Sequence, residues 1–199
     1  MRILGLTGGI ACGKSTIAET LRSLGAAIVD GDVISRSLTA PDGEALPGIR
    51  RLFGSGVFRE DGTLNRGALG AIVFGDEKAM AEYNAIIRPM IMRKIDEAVE
   101  AARAAGSEVC VMDMPLLYEV GLDRRCDRVW CAYVPEEVQV RRLLERDGLG
   151  REAALQRIRS QLPTEEKAAR ADVVIDTDRP MEETAATVRE LYARERATA

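Results

Sequence analysis

The sequence contains no histidine, and only four of its 199 residues are lysine. The absence of histidine excludes imidazole as a general acid or base and as a zinc ligand. No two cysteines form a C-x-x-C pair, so the spacing typical of a structural zinc site is missing as well. Cys110, Cys126 and Cys131 lie in or beside apolar runs, where we expect small core thiols in a reducing compartment.

Aromatic residues and excess positive charge are scarce too. Aromatic residues make up 4% of the chain and the net charge is −4, which disfavours stacking platforms for single strands and a general nucleic-acid surface. No apolar stretch approaches the roughly 18–20 residues that span a membrane, and the amino terminus enters a strand rather than a signal peptide. We expect a cytoplasmic protein with no membrane or nucleic-acid partner, a monomer or small homo-oligomer, with one substantial core.

The amino-terminal segment carries the strongest single motif. The apolar run Ile3–Leu6 predicts a buried strand, and it leads into Gly8, four further residues and then Gly13-Lys14-Ser15, the spacing of a Walker A phosphate loop. Glycines let backbone N–H groups surround a phosphate oxygen, the lysine supplies charge to the β- and γ-phosphates, and the serine hydroxyl can bind Mg²⁺. A plain strand–turn–helix connection is the alternative. Apolar residues recur at helical intervals after the loop, which favours the phosphate site.

Carboxylates follow two further predicted strands. Asp30 and Asp32 come directly after the strand Ala26–Val29, and Asp113 follows the strand 108–112. Ligands bind beyond the carboxyl ends of strands in open α/β sheets, so we expect a functional role for at least one of the first two, although either could simply cap the next helix. Asp113 has the position of a Walker B carboxylate, which binds Mg²⁺ directly or through water, but this pattern is common in α/β proteins.

Helical patterns fill most of the remaining chain. They cover 34–54, 64–74 and 77–105, and Pro89 is expected to kink the last helix or split it in two. Between predicted strands at 127–134 and 172–175 lies a helical hairpin rich in arginine. Arg142 and Arg146 are four residues apart there, so they can project toward one anion.

The alternation of strands and helices predicts an α/β protein with the P-loop NTPase fold, in which a five-stranded parallel sheet is flanked by helices. We expect a single domain of 199 residues with three parts. These are a core at 1–58, 106–134 and 171–199, a helical substrate-binding insertion at about 59–105, and an arginine-bearing lid at about 135–170.

More specific motifs occur in a fixed order along the chain. They are Leu64-Asn65-Arg66, Val73-Phe74, Arg88-Pro89, Pro115-Leu116-Leu117-Tyr118-Glu119, Gln139 through Arg142 to Arg146-Asp147, Arg157 to Gln161, Lys167, and Ala171-Asp172. Together with the phosphate loop, Asp30-Gly31-Asp32 and Asp113, this set resembles the dephospho-CoA kinase family over nearly the whole chain. The Pro-Leu-Leu-Tyr-Glu block followed by the arginine hairpin is far more specific than the phosphate loop alone.

The resemblance implies transfer of the γ-phosphate of ATP, with Mg²⁺, to the ribose 3′-hydroxyl of dephospho-CoA. It implies catalytic roles for Lys14, Arg142 and Asp32, the last as the candidate general base, and metal binding by Ser15 and Asp113. The implied acceptor contacts are Asp32, Arg66, Phe74, Arg88, Pro115 and Leu116. The implied nucleotide contacts are Gly9, Ala11, Cys12, Gly13, Lys14, Ser15, Thr16, Arg142, Arg146 and Asp176.

Three positions depart from the pattern of that family. Arg88 stands where a histidine is usual, Cys12 where serine is more frequent, and Asp176 where asparagine is common. Cys12 is either a tolerated small residue of the loop or a thiol whose oxidation would block the site.

Two other classes of nucleotide-binding protein share the phosphate loop. A nucleoside-monophosphate kinase needs arginines beside its phosphate acceptor, whereas Asp30 and Asp32 favour a hydroxyl acceptor. A regulatory GTPase needs an Asn-Lys-x-Asp motif, and no asparagine of this chain is followed by lysine.

Overall fold

Five short strands, most of them apolar, form the sheet in the computed structural model, which describes residues 1–197. The strands are β1 (Arg2–Gly8), β2 (Ala27–Asp30), β3 (Val109–Asp113), β4 (Arg128–Tyr133) and β5 (Val173–Asp176), in the order β2-β3-β1-β4-β5. They run parallel, so the predicted five-stranded parallel sheet is confirmed.

The register of the central strands brings their carboxyl ends together. Leu6 of β1 lies opposite Asp113 of β3, and Gly8 of β1 lies opposite Ala132 of β4. The segments that leave β1, β3 and β4 therefore begin at one edge of the sheet, where open α/β sheets bind their ligands.

Nine α-helices connect and flank these strands within the described residues. They are α1 (Lys14–Ser23), α2 (Gly31–Leu38), α3 (Leu46–Phe53), α4 (Arg66–Val73), α5 (Glu77–Ala104), α6 (Glu136–Asp147), α7 (Arg151–Arg159), α8 (Thr164–Arg170) and α9 (Met181–Arg196). None of these helices is both long enough and apolar enough to cross a membrane.

The chain divides into two compact units, the first made of Met1–Val29 and the chain from Ala101 onward. Its core joins the sheet to α1 and α9, and its largest buried side chains include Leu4, Leu6, Ile17, Leu21 and Trp130. Because α1 packs against β1, β4 and α9, burial of its apolar side chains stabilises the two elements, β1 and α1, that flank the phosphate loop.

The second unit is Asp30–Glu100 and has its own apolar cluster. Its buried members are Leu38, Ala45, Ile49, Val57, Leu64, Leu69, Val73 and Ile87. This unit begins earlier than the insertion expected at 59–105, because α2 and α3 pack into the same cluster as α4 and α5. Whether this unit binds substrate stays a prediction.

Pro89 does not split the long helix, contrary to one of the two expected outcomes. Helix α5 runs from Glu77 to Ala104 with the proline inside it. A proline removes one backbone hydrogen bond from a helix. The packing of Ile87, Met90 and Ile91 against the cluster of the second unit offsets that loss.

Candidate active site

The loop between β1 and α1 is closely packed at two glycines. A Cβ atom on Gly9 would lie 2.1 Å from Thr164 Oγ1, and one on Gly13 would lie 2.9 Å from Thr177 Oγ1. Gly13 also has a φ of 74°, which favours glycine. Ala11 adopts a left-handed φ of 60° without that advantage, so neighbouring contacts must stabilise its conformation.

Lys14 and Asp113 form an ion pair at the end of this loop. Lys14 is the first residue of α1, and Asp113 is the last residue of β3. Both side chains are largely buried, so little water competes with their contact. The lysine, the positive end of the α1 dipole and a carboxylate thus meet at one place, as binding of a metal–phosphate group requires.

A cavity of about 400 Å³ lies beside the loop, and all of its lining residues except Glu145 were predicted from the sequence to contact the nucleotide or metal. Its lining comprises Ala11, Gly13, Ser15, Arg142, Glu145 and Arg146. Ser15 is exposed. Arg146 Nε donates to Asp147 Oδ1 at 2.7 Å, and this contact raises the pKa of the Arg146 guanidinium. Helix α6 therefore contributes two arginines, Arg142 and Arg146, and one carboxylate, Glu145, to the cavity wall.

Arg142 connects α6 to two backbone segments. Its Nη1 donates to Ala11 O at 3.1 Å, and its Nη2 donates to Thr177 O at 2.7 Å. Thr177 Oγ1 in turn donates to Cys12 O at 2.7 Å. The guanidinium thus stabilises the phosphate loop in addition to lining the cavity.

Cys12 does not present its thiol to the cavity. The side chain is buried in the core of the first unit, where Gln139 Nε2 donates to Sγ at 3.2 Å. Burial raises the pKa of the Cys12 thiol. The backbone N–H of Cys12 donates to Gly9 O at 3.2 Å. The structure therefore favours the tolerated-residue interpretation of Cys12 over a reactive thiol.

Asp176, expected near the nucleotide, is exposed at the end of β5. Its carboxylate accepts hydrogen bonds from Asp178 N at 2.9 Å and from Arg179 Nε at 3.2 Å. The backbone N–H of Asp178 is the main cause that lowers the pKa of this carboxyl group. The observed contacts of Asp176 thus stabilise the turn between β5 and α9.

The two acidic residues after β2 have different environments. Asp30 is the N-cap of α2, and its Oδ1 accepts from the backbone N–H groups of Asp32 and Val33, both at 2.9 Å. The capping alternative is therefore correct for Asp30. Asp32 lies in the first turn of α2 and is exposed.

Two expected acceptor contacts of the second unit line one groove. Phe74, which is 84% exposed, and Arg88 line a cavity of about 720 Å³ together with Val73, Glu77, Met80, Ala81, Asn84, Ala85 and Pro89. Arg66 lies elsewhere in this unit, with its Nη2 3.4 Å from the backbone oxygens of Arg36 and Thr39. The groove thus combines an apolar surface with one arginine and one glutamate, Arg88 and Glu77.

The turn after β3 contains the other two expected acceptor contacts, Pro115 and Leu116. Leu116 is exposed, while Pro115 O accepts from Lys167 Nζ at 2.5 Å and from Thr7 Oγ1 at 3.2 Å. The sequence analysis assigned no role to Lys167 or Thr177. The available signal for Lys167 was its place among the motifs that carry the family resemblance.

The donor set of the first unit fits Mg²⁺. Within residues 1–197 no group of three or more His, Cys, Asp or Glu side chains could hold a metal ion. Mg²⁺ is commonly held by one or two protein oxygens together with substrate phosphates and water. The Ser15 hydroxyl and the Asp113 carboxylate are ligands of that kind.

Comparison with known proteins gives a consistent result. A family model described as dephospho-CoA kinase matches residues 2–183. The dephospho-CoA kinase of Geobacter sulfurreducens is 43% identical over 194 residues, which covers 98% of each chain. The structure of TT1252 from Thermus thermophilus superposes with a TM-score of 0.84 at 32% identity, covering 97% of each chain. The dephospho-CoA kinase of Campylobacter jejuni gives a TM-score of 0.66 at 26% identity, covering 98% of this chain and 97% of that one.

Proposed function

The chain belongs to the dephospho-CoA kinase family, and we propose that the site at the amino end of α1 transfers the γ-phosphate of ATP to the ribose 3′-hydroxyl of dephospho-CoA. The chain is accordingly a kinase of coenzyme A biosynthesis. The observation that supports the site assignment is the ion pair of Lys14 with Asp113, between the first residue of α1 and the last residue of β3.

In this proposal Lys14 binds the β- and γ-phosphates of ATP. The phosphate oxygens compete with Asp113 for the ammonium group, which frees that carboxylate to bind Mg²⁺ directly or through water. Ser15 supplies the second protein oxygen. When bound, the magnesium ion neutralises charge on the β- and γ-phosphates.

The loop and the arginines of α6 complete the nucleotide site. Backbone N–H groups from Gly9 to Thr16, at the amino end of α1, contribute partial positive charge. We propose that Arg142 stabilises both the Ala11 conformation and the charge of the transferring phosphoryl group, while Arg146 adds charge at the cavity wall. Cys12 takes part only through its backbone, because its thiol is buried.

Asp32 is the proposed general base. Asp30 caps α2 with its side chain. Of the two carboxylates after β2, only that of Asp32 is therefore available to contact a substrate. In the reaction the 3′-hydroxyl oxygen forms a bond to the γ-phosphorus, the bond between that phosphorus and the β,γ-bridging oxygen breaks, and ADP leaves. The hydroxyl proton passes to the Asp32 carboxylate.

The acceptor contacts that the family resemblance implies remain part of the proposal. Arg66, Phe74 and Arg88 belong to the second unit, and Pro115 and Leu116 form the turn after β3. The groove beside Phe74 and Arg88 presents apolar surface, one guanidinium and the Glu77 carboxylate. A cytoplasmic location, where ATP is abundant, is part of the same proposal.

The experiment is an acceptor panel. Purified protein is incubated with Mg·ATP and, separately, dephospho-CoA, adenosine, AMP, CMP or UMP, and products are identified by mass spectrometry. We expect a phosphorylated product from dephospho-CoA alone, with the phosphate on the 3′-oxygen by NMR. Phosphorylation of a nucleoside monophosphate in preference to dephospho-CoA would contradict the proposal.

A further inference from the structure

Helix α8 buries two polar side chains on one face. Thr164 is 3% exposed and Lys167 is 0% exposed, although the helix has only seven residues. Lysine is rarely fully buried unless it is paired. Both side chains belong to the first unit and contact segments that we assign to the two substrates.

Thr164 lies against the phosphate loop. Its Oγ1 accepts a hydrogen bond from Gln139 Nε2 at 2.7 Å and lies 3.9 Å from Cys12 Sγ. The same oxygen occupies the space that a side chain at position 9 would need. The first turn of α8 therefore restricts the backbone of the loop at Gly9 and Cys12.

Lys167 lies one turn further along and contacts the turn after β3. Its Nζ donates to Pro115 O at 2.5 Å and pairs with Glu119 Oε1 at 2.8 Å. Glu119 Oε1 also accepts from Leu162 N at 3.0 Å, just before α8. One ammonium group, which is 0% exposed, thus binds the beginning and the end of the segment 115–119, while the Glu119 side chain is 23% exposed.

We infer that α8 positions both substrates, Thr164 through the phosphate loop and Lys167 through the Pro115–Leu116 turn. Neither side chain is a catalytic residue, because each acts through the segment it contacts. The inference rests on the proposed function, in which the loop binds ATP and the turn binds dephospho-CoA. It explains why a buried charge lies at this place rather than an apolar side chain of similar size.

Two variants of the same helix test the inference and serve as controls for each other. Lys167→Met should raise the KM for dephospho-CoA about ten-fold or more and change the Kd of Mg·ATP by less than about two-fold. Thr164→Val should weaken Mg·ATP binding about three-fold or more and leave the KM for dephospho-CoA within about two-fold. Equal changes in both parameters for both variants would mean that α8 has a purely structural role and would overturn the inference.

A double variant separates positioning from stability. In Lys167→Met/Glu119→Gln neither charge of the ion pair is left without its partner, so we expect the melting temperature to recover relative to Lys167→Met. The KM for dephospho-CoA should stay high, because Pro115 O still lacks its lysine donor. Recovery of both quantities would overturn the inference.

Measurements on the wild-type protein distinguish failure of the proposed function from failure of the inference about α8. Failure of the wild type to phosphorylate dephospho-CoA contradicts the proposed function itself. A wild type that phosphorylates it, combined with variants that keep wild-type KM and Kd values, contradicts only the role of α8.

Discussion

Removal of the Arg142 side chain should weaken Mg·ATP binding through the conformation of Ala11. Arg142 donates to Ala11 O at 3.1 Å and to Thr177 O at 2.7 Å, so its guanidinium connects the phosphate loop to the end of β5. Ala11 has a φ of 60°, and this left-handed conformation costs a non-glycine residue about 1–2 kcal/mol. Arg142→Ala should let the loop relax toward backbone conformations that do not bind phosphate.

The expected magnitude follows from these contacts. The Arg142 side chain is 28% exposed, so we take about 1 kcal/mol for each hydrogen bond rather than the larger value for a fully buried charge. Only the hydrogen bond to Ala11 and part of the hydrogen bond to Thr177 restrain the loop. We therefore expect Arg142→Ala to lose about 1–2 kcal/mol of the free energy of Mg·ATP binding. A Kd for Mg·ATP about ten-fold weaker corresponds to this free energy.

Calorimetric titration of Mg·ATP into the wild type and three variants measures this effect. Arg141→Ala is the matched control, because Arg141 forms an exposed ion pair with Asp178 at 3.1 Å and such pairs contribute little. Adding Ala11→Gly to Arg142→Ala should recover about two- to five-fold of the affinity, since glycine adopts a positive φ without strain. A Kd for Arg142→Ala equal to that for Arg141→Ala would refute the reasoning.

Single-turnover measurements extend the test to the chemical step. At saturating Mg·ATP the binding defect of Arg142→Ala is overcome, so any remaining loss of rate reports on the transferring phosphoryl group. We expect a further loss of about ten-fold or more, because a charge near that group stabilises the transition state. A wild-type rate under these conditions would limit Arg142 to positioning the loop.

Three further substitutions test other residues of the site. Lys14→Ala should lower kcat/KM by about 10²–10³-fold, and a near-normal steady-state rate would remove the phosphate loop from the mechanism. Asp32→Asn should lower kcat about 10²-fold or more with Mg·ATP binding kept. Asp30→Asn is the control, because asparagine retains the side-chain cap of α2, and it should change kcat by less than about two-fold. A rise in KM alone for Asp32→Asn would indicate that Asp32 only positions the substrate. Because burial raises the pKa of the Cys12 thiol, native wild type and Cys12→Ala should show the same thiol labelling at pH 8. Only in denaturant should the wild type label at one more thiol than the variant, four against three. Faster labelling of the native wild type would show that Cys12 is accessible.

The sheet and the phosphate loop could be predicted because their determinants are local. Each strand is a short run of mostly apolar residues that ends in a polar or glycine-rich segment, so the sequence marks both the strand and its carboxyl end. Parallel pairing then places these ends at one edge of the sheet. Lys14 and Asp113, 99 residues apart in the chain, are in contact because β1 and β3 are neighbours in the sheet, and the sequence pattern does not specify that strand order.

The boundary of the second unit could not be predicted in the same way. Periodicity marks the helices of 34–54, but it does not indicate which core they pack against. Leu38 and Ile49 join the cluster that contains Leu64 and Ile87, and only the tertiary structure shows this partnership. Similarly, the sequence marks Pro89 as a helix breaker, whereas the packing around it decides that α5 continues.

Buried polar contacts are the structural features that are hardest to predict from the sequence. They determine how Cys12 and Lys167 are interpreted. A cysteine in a phosphate loop suggests reactivity, and a lysine on a short charged helix suggests a solvated surface. The sequence left two alternatives open for Cys12 and assigned no role to Lys167, because the partners of both side chains come from distant parts of the chain. Gln139 and Thr164 surround the thiol of Cys12, and Pro115 and Glu119 surround the ammonium of Lys167. Since each of these contacts joins α6 or α8 to a segment assigned to a substrate, the helices after β4 contribute to the site through backbone positioning as well as through their arginines.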